Sequence, residues 1–171
     1  MARAHFVKKA RKDYPNNSIK KGDSYWWWKF PYSGVSKSKT KPRASQLTQS
    51  EYYGQLYDLQ DEIGNLVADD TLQSVAEDIA SRLRDLASEQ EDKLSNMPDS
   101  LQSSSTGELL QQRADDCNTM ADEFENIDFD VPELDEDDTT TDEDRSDHEE
   151  EVENYWSEKL DEIQGISIEI N

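Results

Sequence analysis

The chain has 171 residues, 33% of them apolar and 34% charged, with a formal net charge of −22; an ordinary globular domain has about 45–50% and about 25%. No stretch approaches the ~18 uninterrupted apolar residues of a membrane helix. A single cysteine, Cys117, excludes an internal disulfide framework and a cysteine-based zinc site, and two histidines, His5 and His148, leave little for metal or catalytic chemistry.

The first 45 residues read as strand and turn. Ala4 to Lys9 carries the apolar pair Phe6-Val7, and Asp13-Tyr14-Pro15-Asn16-Asn17 is a turn signal. Tyr25-Trp26-Trp27-Trp28-Lys29-Phe30 is the strongest strand signal in the chain. Strict alternation sets Trp26, Trp28 and Phe30 on one face and Tyr25, Trp27 and Lys29 on the other. The larger set is expected to pack, which leaves Trp27 exposed. Pro31-Tyr32-Ser33-Gly34 turns the chain, and Val35 to Thr40 returns as a Lys-rich antiparallel partner. A sheet this small needs a helix or a ligand on one face to be stable.

From Thr48 the period changes to that of a helix. Thr48 with Glu51 forms a capping box, and Tyr53, Leu56, Leu59, Ile63 and Leu66 follow at helical spacing. Asp70 is the expected N-cap of a second helix. Its stripe runs through Leu72, Val75, Ile79, Leu83, Leu86, Gln90, Leu94 and Met97, and Pro98 ends it. After a Ser-rich loop, Ser105 with Glu108 caps a third stripe made by Leu109, Leu110, Ala114, Cys117, Met120, Ala121 and Phe124. Two long stripes joined by a short loop predict an antiparallel helical hairpin. Residues 128–153 hold 15 acidic residues and one arginine, Arg145, a composition that buries nothing. Ser146 with Glu149 then caps a short amphipathic helix that ends near Gly165, followed by a tail with Ile166, Ile168 and Ile170. The expected organisation is a basic β module over 1–45, an acidic helical hairpin over 46–126, a disordered acidic linker over 127–148 and a C-terminal helix and tail over 149–171. The fold class is α+β, mainly α.

Charge follows this division. Residues 1–45 hold 12 Lys/Arg and 2 Asp/Glu, a net of +10, whereas residues 46–171 hold 6 and 38, a net of −32. Asymmetry of this kind suits an interaction protein whose ends attract different partners; its plainer reading is a basic head that neutralises an acidic body.

Several stretches carry a resemblance. They are Phe6-Val7-Lys8-Lys9-Ala10-Arg11-Lys12, Lys21-Gly22-Asp23-Ser24 with the aromatic strand after it, Pro42-Arg43-Ala44-Ser45-Gln46-Leu47-Thr48, Asn96-Met97-Pro98 and Thr106-Gly107-Glu108-Leu109-Leu110-Gln111. Together they resemble a family of tailed-bacteriophage proteins with no assigned activity, and the similarity spans most of residues 4–113. Some of its members carry cysteines around the Trp-rich hairpin in the manner of a small zinc ribbon. This chain has none in residues 1–45, so a metal-dependent role does not carry over. The resemblance implies a phage accessory protein acting in the host-cell cytoplasm, with virion association left open.

Three binding functions fit these features. The first is recognition of a host or phage protein by the helical body. The second is nucleic-acid binding by the head, with Trp27 as a stacking surface and Lys29, Lys37, Lys39, Lys41 and Arg43 on phosphates. The third is mimicry of DNA by ordered helix carboxylates, as an inhibitor of a host defence or nucleic-acid enzyme. No phosphate-binding loop, dinucleotide fingerprint or EF-hand loop is present, and acidic pairs are too common for any to be called catalytic. The chain therefore reads as a non-enzyme with no catalytic residue, cofactor or metal site and no membrane association. A second copy would cover the apolar edge that a two-helix hairpin leaves open, so homo-oligomerisation stays an option that the like charge opposes.

Overall fold

Tyr25–Lys29 (β2) is the central strand of a three-stranded antiparallel sheet, between His5–Val7 (β1) and Val35–Ser38 (β3). The computed structural model describes residues 1–133 and 141–168, without the side chains of 142–144. The helices are Glu51–Ile63 (α1), Leu72–Ser95 (α2), Asp99–Gln102 (α3), Ser105–Glu125 (α4) and Asp142–Gly165 (α5). The fold is α+β and mainly α. The chain divides into two compact units, Met1–Asp61 and, from Glu62, the rest of the helices. The division falls in the last turn of α1, so that most of this helix belongs with the sheet. The boundary expected after residue 45 lies earlier, where the composition changes.

In the first unit the register pairs His5 with Trp27, Phe6 with Trp26 and Val7 with Tyr25 across β1–β2. Trp26 faces Ser38, Trp27 faces Lys37 and Trp28 faces Ser36 across β2–β3. Cross-strand partners share a face. One face therefore carries Phe6, Trp26 and Trp28, and the other carries His5, Val7, Tyr25, Trp27 and Lys37. Burial does not follow the expected choice of one face. Tyr25 and Trp28, from opposite faces, are buried, while Trp26, Trp27 and Phe30 are half-buried. On α1 the buried positions are Tyr52, Leu56, Leu59 and Ile63, at steps of four, three and four. Tyr52 thus takes the place expected for Tyr53.

The second unit is built on α2 and α4. Leu72, Ala76, Ile79, Ala80, Leu83, Leu86, Ala87 and Gln90 of α2 are buried, as are Ala114, Cys117, Met120, Ala121 and Phe124 of α4. The Arg84 guanidinium pairs with Asp122 and with Glu125 (2.7 Å) and donates to the Asn118 side-chain oxygen (3.0 Å). Those two carboxylates raise its pKa. Leu94, ten residues on, instead borders Gly107 and Gln111, so the two helices run antiparallel as the hairpin requires. Ala76, Ala80 and Ala87 are core positions that the large-residue stripe passed over, and Val75, Leu94 and Met97 are only half-buried.

Each helix start is shifted from its expected cap. Ser50, not Thr48, caps α1 by accepting from the Tyr53 N–H (3.4 Å). Asp69, not Asp70, closes the entry to α2, accepting from both the N–H and the hydroxyl of Thr71. Ser104, not Ser105, caps α4 by accepting from the Gly107 N–H (3.4 Å). The loop before α4 contains the helical turn α3, and a Cβ at Gly107 would lie 2.6 Å from the Gln102 carbonyl carbon and closer still to its oxygen. Only glycine fits there.

At both ends of the stretch 127–148, expected to be a disordered acidic linker, described residues take a defined place. Ile127 is buried, and the Lys159 ammonium lies 6.0 Å from the centre of the Phe129 ring. The last helix begins at Asp142, a turn before the Ser146 cap, with the Arg145 N–H donating to the Thr141 carbonyl (3.2 Å). A run of carboxylates suits a helix N-terminus as well as a linker, because the helix dipole favours negative charge there. Residues 134–140 lie outside the described residues, as does Ile170; Ile168 is buried without being in a strand.

Candidate nucleic-acid interface

The head is shaped by the segment between β1 and β2, which folds back on the sheet. Ala10 and Asp23 are joined by the Ala10 N–H to the Asp23 carbonyl (2.8 Å), and Gly22 donates to the Ala10 carbonyl (2.9 Å). Tyr14 and Ile19 form an isolated bridge around the turn Pro15–Asn17, which Ser18 closes in the left-handed region at φ 55°. This returns Ala10 and Ile19 onto Tyr25 as a small core, with Val7, Tyr14 and Trp27 against it. The hydrogen bond of Tyr25 to Tyr14, with burial, pushes its phenol pKa up.

The two carboxylates of residues 1–45 are tied into this construction. Asp13 accepts from the Lys21 N–H (2.6 Å) and Asp23 from the Lys20 N–H (3.0 Å). The same Asp23 carboxylate pairs with Lys39 at 3.1 Å. The Lys20 hydrogen bond, with help from Lys39, holds the Asp23 carboxyl below its usual range. These bonds fix the two carboxylates in place without removing their charge, and the cations of residues 1–45 outnumber them by ten. Lys8, Lys9, Arg11, Lys20, Lys21, Lys29 and Lys41 are exposed. Over residues 1–61 the chain holds 12 Lys/Arg and 5 Asp/Glu, a net of +7, and over 62–171 a net of −29.

The six residues expected to bind nucleic acid are not equivalent. Trp27 is half-buried rather than open: its ring stacks on His5 at 4.5 Å and 17°, and it packs on the small core. The fold-back of residues 8–24 covers the face that alternation alone leaves free. Lys37 faces Trp27 across the strands and sits 4.6 Å from the Tyr14 ring centre, a cation–π contact. Lys39 is tied to Asp23, and Arg43 pairs with Asp58 of α1 at 3.5 Å. Lys29 and Lys41 stay open to solvent. The structure thus gathers Trp27, Lys29 and Lys37 on one face and sends Lys39, Lys41 and Arg43 beyond the end of β3.

Sequence reasoning missed His5, Phe6 and Tyr14. Phe6 is 51% exposed and lies 5.0 Å from the half-buried Trp26, so the opposite face carries an accessible aromatic pair. Knowing the β1–β2 register would have found both the Phe6–Trp26 and His5–Trp27 pairs; nothing local in the sequence sets it.

Among the described residues no group of three or more His, Cys, Asp or Glu could hold a metal ion, and no helix is long and apolar enough to cross a membrane. Comparison with protein-family models, with curated proteins and with solved structures finds no match to this chain.

Proposed function

We propose that the chain is a non-enzymatic binding protein whose first unit, Met1–Asp61, engages nucleic acid. The observation that carries this reading is the charge balance of the unit, 12 Lys/Arg against 5 Asp/Glu, with most of its lysines facing solvent. Clustered lysines release counterions from a phosphate backbone on binding, which gives affinity without sequence preference. The Phe6–Trp26 pair adds an aromatic surface on the same sheet. The helical body, expected to be the main interaction surface, supports this role less, because the stripes of α2 and α4 are buried within the unit. A phage accessory protein, as the resemblance implies, is the setting of this proposal.

Fluorescence anisotropy with a labelled oligonucleotide at low and raised salt tests it. Binding should weaken as salt rises, by about 0.7 log units per log unit of salt for each phosphate contact on a single strand. Replacing Lys8 and Lys9 together by glutamate should reduce both the affinity and that slope. Salt-independent binding, or none at low salt, would reject the reading.

A second reading concerns the acidic unit. A hollow of about 420 Å³ beside α5 is lined by Asp147, Glu150, Glu151 and Glu158, with Pro132, Asn154 and Tyr155. This surface favours a basic protein as partner, which joins the protein-binding and DNA-mimic readings. Recovery of a stoichiometric basic protein from nuclease-treated host lysate would support it. Recovery that disappears with nuclease would return the interaction to the head.

A further inference from the structure

Tyr32 sits in a backbone conformation that suits glycine, and its ring packs on nothing. The β2–β3 turn is closed by the Ser33 N–H donating to the Phe30 carbonyl (3.2 Å), and Tyr32 adopts φ 61°. Proline followed by a positive φ is the type II pattern, whose third position ordinarily takes glycine or asparagine. A Cβ is crowded there, and for a bulky residue the conformation is an outlier. Gly34, two residues on, is not in the positive-φ region, so the glycine of this turn is not used where its freedom would help. No packing offsets the strain, since the Tyr32 side chain is fully exposed. A residue that breaks a local rule with no return inside the fold points to a role outside it.

We propose that Tyr32 is a stacking residue of the head and holds an unpaired base of single-stranded nucleic acid. This deepens the reading of the Met1–Asp61 unit as a nucleic-acid binder and rests on it. The choice of partner follows from charge and from what the other rings are doing. The turn projects from a unit of net charge +7. Exposed Lys29, paired with Val35 in the last register position before the turn, lies on the strand that leads into it. Trp27 is already stacked on His5, and half-buried Trp26 lies against Phe6, so Tyr32 is the ring of this hairpin with neither face covered. An exposed ring three residues after an exposed cation on the same hairpin suits a base and a phosphate of one strand. Bases in a duplex are already stacked on one another, so a single strand is the form that fits.

The test uses the full chain and a labelled oligothymidine, with a duplex of equal length for comparison. Tyr32→Gly should weaken oligothymidine binding by roughly 5- to 150-fold, the range for loss of one base–aromatic stack, while the melting temperature holds or rises as the turn relaxes. Tyr32→Phe should bind like the parent, and the parent should prefer the single strand. If Tyr32→Gly binds like the parent while the Lys8/Lys9 glutamate variant does not, the stacking role is wrong and the charged head stands. Preference for the duplex would also overturn the stacking role. If the parent binds neither probe at low salt, both readings fall and the head is left as a protein-recognition unit. A melting temperature lowered by Tyr32→Gly would mean that the ring serves the fold, and that too would overturn the proposal.

Discussion

The short strands and the long helices fill their cores differently. The sheet buries the aromatics Tyr25 and Trp28, whereas α2 and α4 bury Ala76, Ala80, Ala87, Ala114 and Ala121 among larger residues such as Leu83, Leu86 and Phe124. Strand length explains the first. Strands of three, five and four residues provide few inward positions, so each must remove a large area from water. Helix length explains the second. Helices of 24 and 21 residues offer many inward positions, and small side chains among them let the backbones approach. On the strands aromatics therefore supply the buried area, and on α2 and α4 alanines mark where the two long helices pack closely.

The largest expected effect would test the first half of this contrast. Trp28→Ala should cost about 3–5 kcal/mol, the range for truncating a buried aromatic, and should collapse the near-ultraviolet dichroism of the tryptophan strand. Half-buried Trp26 and Trp27 should each cost less when changed to alanine. Equal losses from all three would mean that both sheet faces are fully core. In the helical unit, Leu83→Ala should cost about 2–5 kcal/mol and leave that tryptophan signal in place at temperatures below the melt.

Close approach is tested next, at the point where α3 meets α4. Gly107→Ala should destabilise by roughly 1–3 kcal/mol, because the added carbon meets the Gln102 backbone and not a movable side chain. Chemical denaturation followed by far-ultraviolet dichroism would show it, and an unchanged midpoint would mean that the turn yields freely. A smaller effect separates two adjacent serines. Ser104→Ala should cost about 1 kcal/mol as the loss of an N-cap, and Ser105→Ala next to nothing.

The smallest effect is one of pH. Asp23 and Asp69 both have carboxyl pKa values lowered below the ordinary 3.8, Asp23 chiefly by the Lys20 N–H and Asp69 by the Thr71 hydroxyl and N–H. A lowered folded value means stability that is present above the unfolded value and lost as pH falls through the folded one. Asp23→Asn and Asp69→Asn should each lower the melting temperature slightly at neutral pH. The gap from the parent should close as the pH falls below the carboxylate range. A gap that persists in acid would assign the loss to geometry and not to charge.

Period and punctuation made most of the fold legible. The change from alternation to helical spacing near Thr48, Pro98 as a stop, and the paired stripes of α2 and α4 were all readable. Two caps were displaced because Ser50 and Ser104 bond N–H groups without the Glu that marks a capping box, and at α2 Asp69 took the place of its neighbour Asp70. The head's cation cluster was legible from charge alone. The state of Trp27 was not, because it depends on a fold-back fixed by non-local bonds such as Gly22 to Ala10. Tyr32 was seen only as part of a turn, since a positive φ at a tyrosine leaves no trace in composition or spacing.

Cys117 gives the helical unit a clock of its own. It is the single thiol of the chain and is fully buried on α4. An alkylating reagent can reach it only when the packing of that helix opens, so labelling proceeds at the reagent's intrinsic rate multiplied by the open fraction whenever closing is fast. Mass spectrometry of the intact chain would then time the breathing of the α2–α4 unit under native conditions, without a mutation or an added dye, while the tryptophan strand reports separately on the other unit.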